Sequence, residues 1–383
     1  METLARLWHV RPGGIAERRT ESLDMSRLSA ETRIENDAIV SVMEKLRADH
    51  SDYEVDTGRE GQWEFRTHYG SLSTALGERS VSIRVHAEDE TNLSYMKMIV
   101  AGHMSEYLGS TDGIRWRGDG NDAGVPVFFR EITVVSSTRI SPHLRRVRFA
   151  AGNLERFAGN DFHVRLLLPP KGRQPRWPSV GADGLLVWPS GADALTVRVY
   201  TIRAIDVEGG VFDVDFVLHP GGNTPAATFA ETARRGAVIG MIGPGGAGVP
   251  DAANLLLLGD DTALPAIGRI LDHIAPATRA DVFVEVNSPA DAIPLAESDN
   301  IRVTWLYRQG RAAGTAGLLS EALRKMDPTA LPPDVYVWAG CEFSDFRELR
   351  KIVRKEWGLK KDRQLIVAYW RRGVQGEDGD SEE

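Results

Sequence analysis

Apolar residues recur at helical spacing at Ile34, Ile39, Val42, Met43 and Leu46, which predicts a first helix with Asn36 or Asp37 as its cap. Alternation over residues 62–66 and 81–85 predicts short strands. A second helix is expected over residues 91–108, where Leu93, Met96, Ile99, Val100, Met104 and Leu108 keep core-like intervals. This helix–strands–helix order predicts a small α+β domain over residues 29–116. The Gly- and Asp-bearing stretch 117–124 that follows reads as a linker.

The rhythm then changes twice. Residues 127–137, 144–150, 163–168, 195–205, 210–219 and 237–242 are candidate strands between Gly- and Pro-bearing turns, the pattern of an antiparallel barrel or sandwich over 125–249. From residue 252 to 373, apolar strands at 255–258, 281–286, 301–307, 335–339 and 365–369 alternate with helices at 264–274, 317–326 and 344–357. Strands without polar alternation predict a parallel sheet covered on both faces, so the third block is an α/β domain. No internal repeat is visible.

Composition narrows the function classes. Of 383 residues, 42% are hydrophobic and 26% charged, which favours packed domains over wholesale disorder. The formal net charge is −8, and the tail 374–383 carries five carboxylates and no base, so it is expected to be disordered. Without the tail the body stands at −3, which leaves no net basic field for nucleic acid or acidic membranes. Cys341 is the only cysteine, so neither an intrachain disulfide nor a cysteine-built metal site can form. Residues 1–28 lack the apolar core of a secretory signal, and no run approaches the ~20 apolar residues of a membrane span. A soluble, cytoplasmic protein is the expectation.

Candidate chemistry gathers where the strands end. In open parallel sheets ligands bind beyond the carboxyl ends of the strands. Here those ends are 259–263, 285–287, 307–308, 339–342 and 369–371. Gly259 leaves room for close backbone approach, and the following helix start offers amides to an anion. The strand at 255–258 is followed by neither a G-x-G-x-x-G nor a Walker-type glycine loop. Within the strand-rich block, Arg198 and Tyr200 share one strand face opposite Val197, Val199 and Thr201. An arginine beside an aromatic can hold a phosphate while the ring packs on a planar ligand, although a solvated strand face gives the same pattern. His219 ends a strand and is followed by a Gly-bearing turn and a helix start, a second anion-suited place.

These pieces together resemble the siderophore-interacting protein family of flavin reductases. The resemblance rests on Arg198-x-Tyr200-Thr201, on Asp213-x-Asp215-Phe216-Val217-Leu218-His219 with its Gly-rich turn, Pro225 and Ala226, and on Gly259-Asp-Asp-Thr-Ala-Leu-Pro-Ala266. Trp338-Ala-Gly-Cys-Glu342 and Tyr369-Trp-Arg-Arg-Gly373 complete it. It implies a ferredoxin-NADP-reductase-like antiparallel barrel that binds FAD, then an α/β domain for NADH or NADPH, and the reduction of a ferric siderophore. By motif, Arg198, Tyr200, Thr201, Arg203, Val217, His219, Thr224 and Ala226 would hold FAD. Asp260, Thr262, Ala263, Glu342, Tyr369, Trp370 and Arg371 would border the nicotinamide nucleotide. Pro220 and Thr224-Pro225-Ala226 depart from the family's usual turn, and Cys341 stands where a smaller residue is usual. The first block resembles an accessory domain of unknown function found in front of some members.

Plainer readings stand beside these. Cys341 serves as a small core residue. His50, His68, His86 and His103 show no i, i+3 or i, i+4 pair, so a metal site is not expected. The basic stretch with Lys351, Arg354, Lys355, Lys360, Lys361 and Arg363 is either a solvated helix face or a patch for an anionic iron chelate, with Lys360 and Lys361 as substrate residues. Glu285 could accept from a ribose hydroxyl and Arg308 could bind a 2′-phosphate; the sequence does not rank them. A general flavin reductase with another acceptor, and a siderophore-binding protein without turnover, are the rival functions.

Overall fold

The computed structural model describes residues 28–55, 61–121, 124–218 and 224–374. The chain divides into two compact units, each considered by itself. The first contains strands β1 (Leu28–Glu35), β2 (Glu54–Val55), β3 (Gln62–Thr67), β4 (Gly70–Leu76), β5 (Ser80–Ala87) and β6 (Arg117–Gly118), in the antiparallel order β2-β3-β4-β5-β1-β6. Helices α1 (Ile39–Asp49) and α2 (Glu90–Leu108) pack on it over a core that includes Ile34, Ile83, Val85, Leu93 and Met96. Asp89 caps α2 by accepting from the Asn92 amide at 2.9 Å, and Gly109 closes it at φ 72°.

Four expectations for this unit are corrected. Ile34 belongs to β1, where Ala30, Thr32 and Ile34 alternate inward, so α1 starts at Ile39. Asn36 does not cap α1; its side chain accepts from the Ala38 amide and shapes the preceding turn. Nor are residues 117–121 a free linker. Gly118 pairs with Ala30 at φ 108°, and a Cβ there would lie 2.5 Å from the Ser29 carbonyl, so the strand needs glycine. Buried Lys97 then donates to the carbonyls of Asp119 (2.7 Å) and Gly120 (2.8 Å) and to Asn121 Oδ1 (3.0 Å). The segment Gly172–Ala194, with strands β10 (Ser179–Val180) and β11 (Leu186–Val187), also belongs to this unit although it lies within the range expected for the barrel. Asp183 ties it down: its carbonyl accepts from Trp116 Nε1 and its carboxylate from Thr111 Oγ1, both at 2.8 Å.

The second unit opens with a closed barrel of β7 (Phe129–Arg139), β8 (Leu144–Ala150), β9 (His163–Leu168), β12 (Thr196–Asp206), β13 (Val211–Val217) and β14 (Val238–Gly245), in the order β12-β13-β8-β7-β14-β9. These are the six strands expected from the sequence. Along β13, Phe212, Val214 and Phe216 fill the barrel, while Asp213 and Asp215 point outward into forked pairs with Arg148 and Arg146 at 2.7–2.8 Å. Helix α3 (Pro225–Thr232) lies against β13 and β8.

A five-stranded parallel sheet follows: β15 (Asn254–Gly259), β16 (Arg279–Val286), β17 (Ile301–Tyr307), β18 (Tyr336–Glu342) and β19 (Gln364–Trp370), in the order β17-β16-β15-β18-β19. Leu255 and Leu257 face the layer of α4 (Leu264–His273), and Leu256 and Leu258 face that of α5 (Leu318–Arg324) and α6 (Phe343–Lys351). That two-sided burial is why the strand reads as unbroken leucine. The helix expected over 344–357 is α6 continued by a π-helical turn, Ile352–Glu356.

Barrel and sheet are joined through α4. Buried Arg269 donates to the carbonyls of Ile202 (2.8 Å), Phe157 (3.2 Å) and Gly159 (3.2 Å). One turn away Asp272 pairs with Arg203 of β12.

Lys97→Met keeps an apolar stem but removes the donor to three acceptors. A loss of roughly 1–3 kcal/mol is expected, read as a lowered thermal midpoint of the intact chain. An unchanged midpoint would show that residues 119–121 do not depend on the ammonium.

Candidate functional site

The carboxyl ends of the five strands form one edge, and Asp260, directly after β15, organises it. Its Oδ1 accepts from the amide (2.9 Å) and hydroxyl (2.5 Å) of Thr262, which fixes the turn into α4. Its Oδ2 accepts from the Glu342 amide (3.0 Å) and from Trp370 Nε1 (2.8 Å). One buried carboxylate therefore ties together β15, β18 and β19. Ala263, at the N-cap of α4, offers no side-chain cap. Glu342 caps α6 through Ser344 (amide 2.5 Å) and its other oxygen accepts from the Arg372 amide at 3.0 Å. Arg371 lies over the Phe343 ring at 4.7 Å.

Two glycines let this edge pack closely on itself. A Cβ on Gly340 would lie 2.9 Å from the Tyr369 ring, and one on Gly259 2.6 Å from Ala263 Cβ and 3.2 Å from the Gly340 carbonyl. Tyr369 stands edge-on to Trp338, and its hydroxyl is hydrogen-bonded at 2.8 Å to Nε2 of His163, at the start of barrel strand β9. Burial pushes His163 down to about 4, helped by nearby Arg269, so the ring is neutral at physiological pH. Burial also raises the Tyr369 phenol, with Asp260 adding to the shift. The sequence-derived Asp260, Thr262, Ala263, Glu342, Tyr369 and Trp370 thus meet in one place. His163 was missed because its partner is 206 residues away.

Beside them sits a buried charge cluster. Arg308 Nη2 donates to Asp261 Oδ2 at 2.6 Å, and Arg308 Nη1 lies 3.5 Å from Glu285 Oε1. Neither residue presents itself as an exposed reader of a ribose or a 2′-phosphate. Loss of solvent pushes Asp261 up to about 6 against the pull of Arg308. Burial, then Asp345, lifts Glu285 to about 7, and burial with Asp260 and Glu342 lifts Asp345 to about 6. Among the described residues no three His, Cys, Asp or Glu side chains gather as a metal site.

On the barrel side, Arg198 donates Nη1 to the carbonyl of its neighbour Val197, and no carboxylate pairs with it among the described residues. Tyr200, on the same face of β12, packs against Phe216 with ring centroids 4.4 Å apart, and burial raises its phenol. Thr201 is buried opposite His163, and Val217 ends β13. Thr224 is the N-cap of α3 without a side-chain cap bond, Pro225 opens the helix, and Ala226 is buried in the first turn. His219 lies outside the described residues. Unpaired Arg198 and the uncapped α3 start suit the diphosphate of FAD, so the residues present fit that group.

Arg203 does not join them: it is committed to Asp272 of α4. Lys360 and Lys361 precede β19 and so lie at its amino end, beyond Gln364, which is itself six residue steps and roughly 20 Å from Trp370 at about 3.3 Å per residue. The structure does not bring these two lysines to the crevice.

Comparison with known proteins places this geometry. Residues 133–248 match the family model described as Siderophore-interacting FAD-binding domain, and residues 252–373 match that described as Siderophore-interacting protein. An uncharacterised protein of Mycobacterium tuberculosis is 35% identical over 267 residues, 66% of this chain and 92% of that one. Ferric vibriobactin reductase ViuB of Vibrio cholerae is 26% identical over 251 residues, 64% of this chain and 91% of that one. The crystal structure of a siderophore utilization protein from T. fusca superposes with a TM-score of 0.54 at 31% identity, covering 67% of this chain and 99% of that one.

The raised carboxyl of Glu285 has a thermodynamic consequence. The folded chain holds a proton there that the unfolded chain releases near pH 4.5, so stability falls as pH rises from about 4.5 through about 7. Glu285→Gln removes that ionisation. The variant should gain on the order of 1–3 kcal/mol over the native chain at pH 8 relative to the same comparison at pH 5. Thermal melts at the two pH values read the difference, and an equal effect at both would place no raised carboxyl at this position.

Proposed function

Because the chain belongs to the siderophore-interacting protein family, we propose that it is an FAD-dependent NAD(P)H:ferric-siderophore oxidoreductase. The observation that carries the reading is Arg198. It is a guanidinium without a carboxylate partner among the described residues, on the strand whose Ile202 carbonyl is gripped by the sheet domain. The name of ViuB, a ferric vibriobactin reductase, supports the acceptor class. FAD, when bound, accepts a hydride from a nicotinamide and gives electrons up singly to Fe³⁺.

The chain's own residues position and shield. Arg198 pairs its fork with the flavin diphosphate, and the first-turn amides of α3 add a partial positive end. Asp260 orders the loop after β15 so that this turn borders the nucleotide. Neutral His163 holds the Tyr369 hydroxyl at the seam and keeps the aromatic wall in place. The iron arrives in its chelator as substrate. Hard oxygen ligands hold Fe²⁺ less well than Fe³⁺, so one-electron reduction releases it.

Arg198→Ala is expected to weaken FAD binding by roughly ten- to a hundredfold with an unchanged circular dichroism spectrum, since a charge-assisted bond contributes about 1.5–3 kcal/mol. Arg198→Lys restores only part, because an ammonium lacks the fork. Unchanged affinity on titrating the apoprotein with FAD would remove Arg198 from the site. The FAD-loaded chain is expected to oxidise NADH or NADPH faster with a ferric catecholate or hydroxamate than with free flavin; the reverse order assigns a general flavin reductase.

A further inference from the structure

Glu285 is the penultimate residue of β16 and Arg308 directly follows β17, the two strands next to β15 on one side of the sheet. In open sheets, with the pyrophosphate at the helix start after the first strand, the adenosine ribose is read beyond it by an acid that takes the 2′-hydroxyl or an arginine that takes a 2′-phosphate. Here the two candidate readers face each other. Arg308 Nη1 stands 3.5 Å from Glu285 Oε1 and Nη2 donates to Asp261 at 2.6 Å, with all three side chains more than nine-tenths buried. Withdrawing the guanidinium would leave two carboxylates desolvated without their cation, a state that buried ion pairs strongly resist.

The surroundings oppose a second phosphate as well. Asp260, Glu342 and Asp345 are buried at the same edge, and a phosphate monoester adds roughly −1.5 to −2 charge. Arg311, the other cation of the loop after β17, is turned back on the backbone, donating Nε to the Arg308 carbonyl (3.2 Å) and Nη1 to the Ala316 carbonyl (3.3 Å).

We infer that the nucleotide site takes the unphosphorylated dinucleotide, NADH, and rejects a 2′-phosphorylated adenosine, with the Asp261–Arg308–Glu285 cluster as the specificity-determining feature. The inference rests on the nucleotide-reductase reading above. It deepens that reading by choosing the donor.

Isothermal titration of the full-length, FAD-loaded chain with ADP-ribose and with 2′-phospho-ADP-ribose, at one ionic strength, measures the discrimination without turnover. ADP-ribose should bind at least about tenfold more tightly. Equal affinity overturns the inference and leaves the nucleotide reading standing. A preference for the phosphorylated ligand overturns it too, and its loss in Arg311→Ala would move the reader's role to Arg311. Binding of neither ligand overturns both. Asp261→Asn, which keeps the shape and frees Arg308 from its shortest bond, should narrow the ratio by at least about threefold. An unchanged ratio in a variant with native circular dichroism removes the cluster from specificity.

Discussion

Arg269 is a cation taken out of water without a carboxylate to meet it. Its guanidinium instead donates to three carbonyls, of Ile202, Phe157 and Gly159, all in the barrel, while its own helix α4 belongs to the sheet. A buried guanidinium keeps its charge at the cost of desolvation, which lowers its pKa to about 10, and only a fixed set of acceptors offsets that cost. The relative placement of barrel and sheet is therefore set by hydrogen-bond geometry and not by apolar contact alone. The grip falls on β12, the strand that carries Arg198, Tyr200 and Thr201, and on α4, whose first turn faces the strand ends. Arg269 thus bridges the two halves of the proposed reductase, alongside the Arg203–Asp272 pair and the His163–Tyr369 bond.

The same economy recurs at the strand ends, with the sign reversed. Asp260 collects donors from three strands, so the loop after β15, the start of α6 and the Trp370 ring share one acceptor. Five carboxylates crowd this edge, and Arg308 is the one cation among the described residues buried with them. Such a group is under-hydrogen-bonded: Asp261 Oδ1 and both Glu285 oxygens lack a bonding partner. The raised carboxyls follow from that shortage, because neutralising an acid is the cheaper response to lost water.

What could be read from the sequence follows the range of the interactions. The barrel and sheet strands were legible because each carries its own residue pattern, apolar alternating with acidic over Phe212–Phe216 of β13 and unbroken leucine on β15. The motif residues around Asp260 were legible because strand order alone puts carboxyl ends together. Ile34 misled because β1 runs straight toward α1, and an inward strand residue happens to continue the helical count. Residues 117–121 read as a linker because the side chain that binds them, Lys97, lies on a helix more than 20 residues back. Arg203 was drawn into the flavin set by its motif, yet its partner Asp272 is 69 residues on. For Lys360 and Lys361 the signal was present and unused: residues that precede a parallel strand lie at its amino end, away from the ligand edge.

The last strand shows why this edge is set only when the chain is complete. β19 pairs with β18 alone, so its position within the sheet is fixed on one side. Its final two residues are then held from two directions, Tyr369 by His163 of the barrel and Trp370 by Asp260 of the first sheet strand. The first bond needs barrel and β19 in place, and the second β15 and β19. The aromatic wall of the crevice is thus a product of the whole second unit, and a change that loosens the Arg269 grip should reach Tyr369 through His163 before it disturbs either core. That coupling rests on one contact, since neutral, half-buried His163 holds Tyr369 through a single nitrogen.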